Sequence, residues 1–80
     1  MTSADQPLLL KRIDPRRNMA RFYLLSIEPT LFGPVALRRN WGRLGTWGRQ
    51  RLELHEDEAA ARNAQARLLA RKLKKGYERA

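Results

Sequence analysis

Cysteine is absent from all eighty residues, and that omission constrains the fold more than any other single feature. Neither a disulfide framework nor a thiolate metal site is available to staple the chain, so one apolar core has to hold it. A chain of this length buries only a modest share of its surface and cannot support two such cores. The apolar pattern therefore has to specify one sheet and one helix that pack together.

Met1 to Gln6 is polar and without periodicity, which marks a disordered tail ahead of a single domain over residues 7–80. Leu8, Leu10 and Arg12 alternate with Leu9, Lys11 and Ile13 as in an edge strand, and Asp14-Pro15-Arg16-Arg17-Asn18 reads as a turn. Met19 to Ile27 is rich in β-formers, with Phe22 and Leu24 on one face and Tyr23, Leu25 and Ile27 on the other. Pro29, Gly33 and Pro34 make the next segment a loop, from which Leu31 or Phe32 is expected to tuck back. Val35, Leu37, Arg39 and Trp41 then share one strand face. Gly42, Gly45 and Gly48 permit tight bends before a last strand, Gln50 to His55, which is expected to point Leu52 and Leu54 inward.

A helix follows, capped by Asp57 or a neighbour. It opens with acids, Asp57 and Glu58, and ends with bases, Lys72, Lys74 and Lys75, as the macrodipole favours, with Gly76 as the stop. Ala61, Ala64, Leu68 and the stem of Lys72 fall at helical spacing, and Leu69, Leu73 and Tyr77 extend an adjacent stripe. The expected architecture is α+β: a twisted antiparallel sheet of about four strands with one C-terminal helix packed across it.

Seventeen basic side chains against eight acidic ones leave a net charge of +9, an excess that neither solubility nor packing requires of a small fold. A polyanion is the natural partner. The competing explanation is GC-rich coding, since thirteen of the seventeen are Arg. The longest apolar stretch near the start, Pro7-Leu8-Leu9-Leu10, is far too short for a signal or membrane-spanning segment, so a cytoplasmic protein without a membrane role is expected, with association to the nucleoid as the variant a polyanion partner suggests.

The tripeptide Trp-Gly-Arg occurs twice, at Trp41-Gly42-Arg43 and at Trp47-Gly48-Arg49. Strand alternation puts Trp41 between Arg39 and Arg43 on one face, an aromatic between two cations at about 6 to 7 Å spacing, and phosphates recur at similar distances. An exposed indole offers a flat face to a sugar or base, and each Arg a planar, bidentate phosphate partner. The alternative is a core Trp41 flanked by solvated arginines. For Trp47 the core reading is preferred.

Around the first copy the chain resembles the WGR domain family. Tyr23-Leu24-Leu25-Ser26-Ile27 is similar to the family's aromatic-rich strand, Arg39-Asn40-Trp41-Gly42-Arg43-Leu44-Gly45-Thr46-Trp47-Gly48 to its signature, and Lys72-Leu73-Lys74-Lys75-Gly76-Tyr77 to the helix end of many bacterial members. The resemblance runs from about Leu8 to Tyr77. Leu44-Gly45 follows the first copy as the family pattern requires, whereas Gln50-Arg51 follows the second, so Trp41-Gly42-Arg43 is the signature copy. WGR domains are known from DNA-dependent poly(ADP-ribose) polymerases, where the domain sits at a DNA break and the motif Trp stacks on a sugar near a strand end. The resemblance therefore implies a stand-alone bacterial-type domain in which Trp41 stacks and Arg43 contacts phosphate or a neighbouring protein.

The expected nucleic-acid-binding set is Trp41, Arg43, Arg39, Arg38, Arg49, Lys72, Lys74 and Lys75, with Trp47 and Tyr77 as secondary stacking residues. The three lysines, with Arg71, could contact backbone phosphate but equally suit any well-capped helix end, and Tyr77 most simply folds back on Leu73. DNA, especially a broken or single-stranded end, ranks ahead of RNA. The alternatives are general RNA binding and a protein-interaction module in which Trp41, Arg39 and Arg43 anchor an acidic partner. Catalysis is not expected: His55 has only local acids beside it, and no nucleophile arrangement, phosphate-binding loop, metal-ligand cluster or cofactor motif is present. The oligomeric state is left open.

Overall fold

The computed structural model of the protein describes residues 7–80, so the tail expected at 1–6 lies outside the described residues. Strands β1 (Leu8–Asp14), β2 (Met19–Pro29), β3 (Val35–Arg43) and β4 (Arg49–His55) are followed by helix α1 (Glu58–Lys74) and a short β5 (Glu78–Arg79). All pair antiparallel in the order β4-β3-β2-β1-β5. The α+β arrangement is as expected, with one strand more.

That extra strand follows from how α1 ends. Gly76 takes φ +98, a left-handed conformation that glycine adopts without penalty, and the amides of Gly76 and Tyr77 donate to the carbonyls of Leu73 and Lys72 at 3.1 Å. The chain then turns back along β1, where Leu10 faces Arg79 and Lys11 faces Glu78. β1 is therefore not an edge strand, contrary to the sequence expectation, although β5 covers it for only two residues. Tyr77 is likewise off the helical stripe. Its ring is buried over the sheet, edge-on to Tyr23 at 6.2 Å, and does not fold back on the exposed Leu73.

Helix α1 starts where Asp57 accepts from the Ala60 amide at 2.8 Å, satisfying an otherwise unpaired donor. Ala61, Ala64 and Leu68 form its buried face, and the two alanines let it lie close to the sheet. Beneath it pack Leu10, Tyr23, Leu25, Ile27 and Leu37, with Leu8, Val35, Trp41 and Leu69 around them. Leu10, Leu25 and Leu37 are fully buried, each contributing about 1.5–3 kcal/mol of transfer free energy. One helix covers one face, and the core sits there.

The register of β4 corrects another expectation. Glu53 pairs with Leu37 and His55 with Val35, so odd-numbered residues take the helix side, while Leu52 and Leu54 face the open side, the latter 69% exposed. What draws Glu53 inward is Arg39 on β3, whose Nη1 donates to its carboxylate at 2.7 Å. Leu31 and Phe32 do not tuck back either. Both project from the β2–β3 loop, which closes on itself through the Thr30 hydroxyl and amide donating to the Pro34 carbonyl at 2.6 and 3.2 Å.

Candidate nucleic-acid interface

Cross-strand register assembles two rows on the face that carries α1. In one, Leu10, Tyr23, Trp41 and Arg49 follow one another across β1, β2, β3 and β4; in the next, Arg12 faces Arg21 and Arg21 faces Arg43. Tyr23 and Trp41 stack with centroids 5.9 Å apart and planes inclined by 17°, an arrangement worth about 0.5–1.5 kcal/mol beyond area burial. Trp41 is half-buried and packed against the core. It is thus both a packing residue and a partly accessible one, between the two readings of the sequence.

Cations surround this pair. Arg39 donates from Nε to the Tyr23 hydroxyl at 2.8 Å, and its guanidinium carbon lies 5.7 Å from the Trp41 ring centre. Lys72 reaches over the end of α1 to place Nζ 4.3 Å from the Tyr23 centroid and 5.5 Å from that of Tyr77. Burial pushes the Lys72 ammonium below its ordinary pKa, and the positive charges of Lys75, Arg39, Arg71 and Arg21 push it further. The Arg39 hydrogen bond, opposed by burial, holds the Glu53 carboxyl below the usual glutamate range.

Of the residues singled out from sequence, Trp41, Arg39, Arg49 and Lys72 meet here, and Lys75 is near enough to Lys72 to repel it. Arg43 is exposed at the end of β3 and donates to the Asn18 carbonyl at 3.2 Å. Arg38 points the other way. On the open face it is held by Glu28 at 2.9 and 3.1 Å and by Gln50 at 2.6 Å. Lys74 lies beside Arg67 and Arg71 on the outer flank of α1. Trp47, for which the core reading was preferred, is 93% exposed at the tip of the β3–β4 turn. The turn is left-handed at Gly45 and Gly48, and that geometry carries the indole outward.

Arg12 and Arg21 were missed, as was Tyr23 as the ring that backs Trp41. Each lies two residues from a core position on its own strand, so period-two alternation was the available signal. Their alignment with Arg43 needs the strand register, which no local pattern supplies. Among the described residues none of these three arginines makes an ion pair.

His55 lies on the same face at the far end of β4, its buried Nε2 without a hydrogen bond and 3.6 Å from Glu53. No cluster of acids and histidines suited to a metal occurs among the described residues, and none of their helices is long and apolar enough to cross a membrane.

The profile of a family described as WGR domain matches residues 6–80. The uncharacterized protein y4dW of Sinorhizobium fredii is 46% identical over 77 residues, covering 96% of this chain and 38% of that protein. Protein YehF of Escherichia coli is 44% identical over 41 residues, 51% of this chain and 15% of its own. The chain thus spans well under half the length of either relative. No solved structure gives a significant match. WGR is a binding domain rather than a catalytic one, and the family is linked to nucleic-acid binding. With its aromatic pair set between β2 and β3 and the family profile running through to Ala80, the chain belongs to the WGR domain family.

Proposed function

We propose that this domain binds DNA, with preference for strand ends or breaks, through Trp41 and the basic residues around it. The observation that carries the reading is the row Arg12, Arg21, Arg43 beside the Tyr23–Trp41 stack. Like charges directly opposite one another on neighbouring strands destabilise a sheet, and these three have no ion-pair partner among the described residues. A run of phosphates relieves that repulsion. Guanidinium groups bind phosphate through paired, charge-assisted hydrogen bonds.

Trp41 supplies what a uniform basic surface lacks. Tyr23 holds one side of the indole, which fixes its orientation before any ligand arrives. A terminal or unpaired nucleotide has an open flat face to set against it, whereas residues inside a duplex are flanked on both sides. Phosphate contacts then position the strand, and the stack selects its end.

A titration panel of blunt duplex, nicked duplex, single-stranded DNA and RNA, each at two salt concentrations, tests this. Nicked and single-stranded DNA are expected to bind most tightly. With about 3 to 6 phosphates neutralised, the logarithm of affinity should fall with the logarithm of salt at a slope of about −3 to −5. Equal or tighter RNA binding would make the domain a general RNA binder, and failure of every nucleic acid at low salt would leave an acidic protein as the partner.

A further inference from the structure

A groove runs between α1 and β4 toward the aromatic pair. Beneath the helix it is a concavity of about 190 Å³ lined by Arg39, Glu53, Ala64, Arg67, Leu68 and Arg71. A second concavity, of about 330 Å³, lies over Ala70 between Arg67, Arg71 and Lys74. Arg67 and Arg71 border both, standing between the inner concavity and the outer flank of the helix. Opposite the helix, Arg49 and Arg51 occupy the helix side of β4, in register with Trp41 and Arg39.

The charge in this groove is one-sided. Its acid, Glu53, is already bound to Arg39 at 2.7 Å, and Arg67, Arg71 and Arg51 make no ion pair among the described residues. From Arg67 to Arg71 the helix rises about 6 Å, roughly the spacing of successive phosphates along an extended single strand. Arg39 joins the inner concavity to the aromatic pair, its guanidinium carbon 5.7 Å from the Trp41 ring centre. At about 190 Å³ the concavity beneath the helix is too small to take a duplex, and Arg39, Arg67 and Arg71 around it can take the phosphates of one strand.

We infer that this groove holds the unpaired strand of a DNA end carrying a single-stranded tail, with Arg67 and Arg71 closing on its phosphates from α1 and Arg49 and Arg51 from β4. The inference rests on the DNA-end reading above and specifies which ends that surface prefers. The exposed arginines of α1 are then a binding wall and not merely a solvated face.

The test compares a blunt 5′-phosphorylated duplex with the same duplex bearing a tail of about four nucleotides, in either polarity, by fluorescence anisotropy at moderate salt. A tail of one polarity is expected to tighten binding of the wild-type domain by about five-fold or more. The double variant Arg67→Gln, Arg71→Gln should lose that gain. A second double variant, Lys11→Gln with Arg79→Gln, removes the same charge at the opposite edge of the sheet and should keep it. Circular dichroism of both checks the fold, and both pairs of side chains are exposed. No gain from either tail in the wild type, with blunt DNA still bound, overturns the groove and leaves the end reading standing. The same gain in both double variants places the tail elsewhere and also overturns it. Failure of all DNA to bind overturns the functional reading together with the groove.

Discussion

Gly42 and Gly48, the central residues of the two Trp-Gly-Arg copies, lie against each other: a Cβ on Gly42 would come within 2.7 Å of the Gly48 Cα. A Cβ on Gly48, at φ +72, would overlap the Trp41 carbonyl and come within 2.8 Å of the Phe22 ring. The second copy therefore has a backbone function even though its Trp47 is exposed. It folds the turn tightly enough to set Arg49 beside Trp41.

Gly48→Ala should accordingly destabilise the domain by at least about 2 kcal/mol, combining left-handed strain with overlap against backbone. Gly45→Ala, also left-handed but with open space around it, should cost about 1 kcal/mol. Urea midpoints measure both. Equal losses would mean that the approach of Gly48 to Trp41 has no energetic weight.

Trp41 and Trp47 should separate in two readouts. Trp47→Ala is expected to leave stability within about 0.5 kcal/mol, as for an exposed position free of special contacts. Trp41→Leu retains apolar bulk over Tyr23 but removes the stacking face, and DNA affinity should fall by about 1 to 3 kcal/mol. Anisotropy titrations alongside thermal melts check the pair. A larger binding loss from Trp47→Ala would show that the turn, and not the strand, carries the stacking residue.

Arg21 stands between Arg12 and Arg43, so its removal should move stability and binding in opposite directions. Arg21→Gln is expected to stabilise the free domain by about 0.2–1 kcal/mol through relief of like-charge pairing, while weakening DNA binding and making the salt slope shallower by about 1. Denaturant melts and salt titrations measure the two. Loss of stability would mean that the row is held together by the fold's own contacts and gives no support to a polyanion partner.

Glu53 links stability to pH. Its hydrogen bond from Arg39 depresses its folded pKa below the ordinary value of 4.5, so the stabilisation is fully present above that value and is lost as pH falls through the folded pKa. The stability gap between wild type and Glu53→Gln should be present at pH 7 and shrink below about pH 4. A gap that stays constant down to about pH 2.5 would assign Glu53 a role independent of its charge.

Local signals fixed much of this fold. Asp57, the spacing of Ala61, Ala64 and Leu68, and the stop at Gly76 delimit α1, and alternation puts Tyr23, Leu25, Ile27 and Leu37 in the core. Where local reading failed, a distant partner or its absence decided. Leu52 and Leu54 look like core residues until Arg39, on another strand, claims Glu53 for that side. Leu31 and Phe32 sit in a short loop that closes on itself between Thr30 and Pro34 and leaves both exposed. The candidate site divides the same way. Trp41, Arg39 and Lys72 were legible from motif and spacing, whereas the row through Arg12 and Arg21 exists only once three strands are in register. Arg38 shares its tripeptide neighbourhood with Arg39, yet a single step along a strand sends it to the opposite face and into the grip of Glu28.

The most direct measurement of the central claim is competition for a labelled nicked duplex by closed circular DNA, by linear DNA of the same sequence, and by linear DNA stripped of its 5′-phosphate. Moderate salt screens the uniform attraction of a +9 surface. If Trp41 stacks at strand ends while the arginine row takes the adjacent phosphates, short linear DNA should compete best per nucleotide, its dephosphorylated form less well, and the closed circle least. Trp41→Leu should erase those differences. Equal competition by all three against the wild-type domain would contradict the account, leaving only a basic surface with no end for Trp41 to recognise.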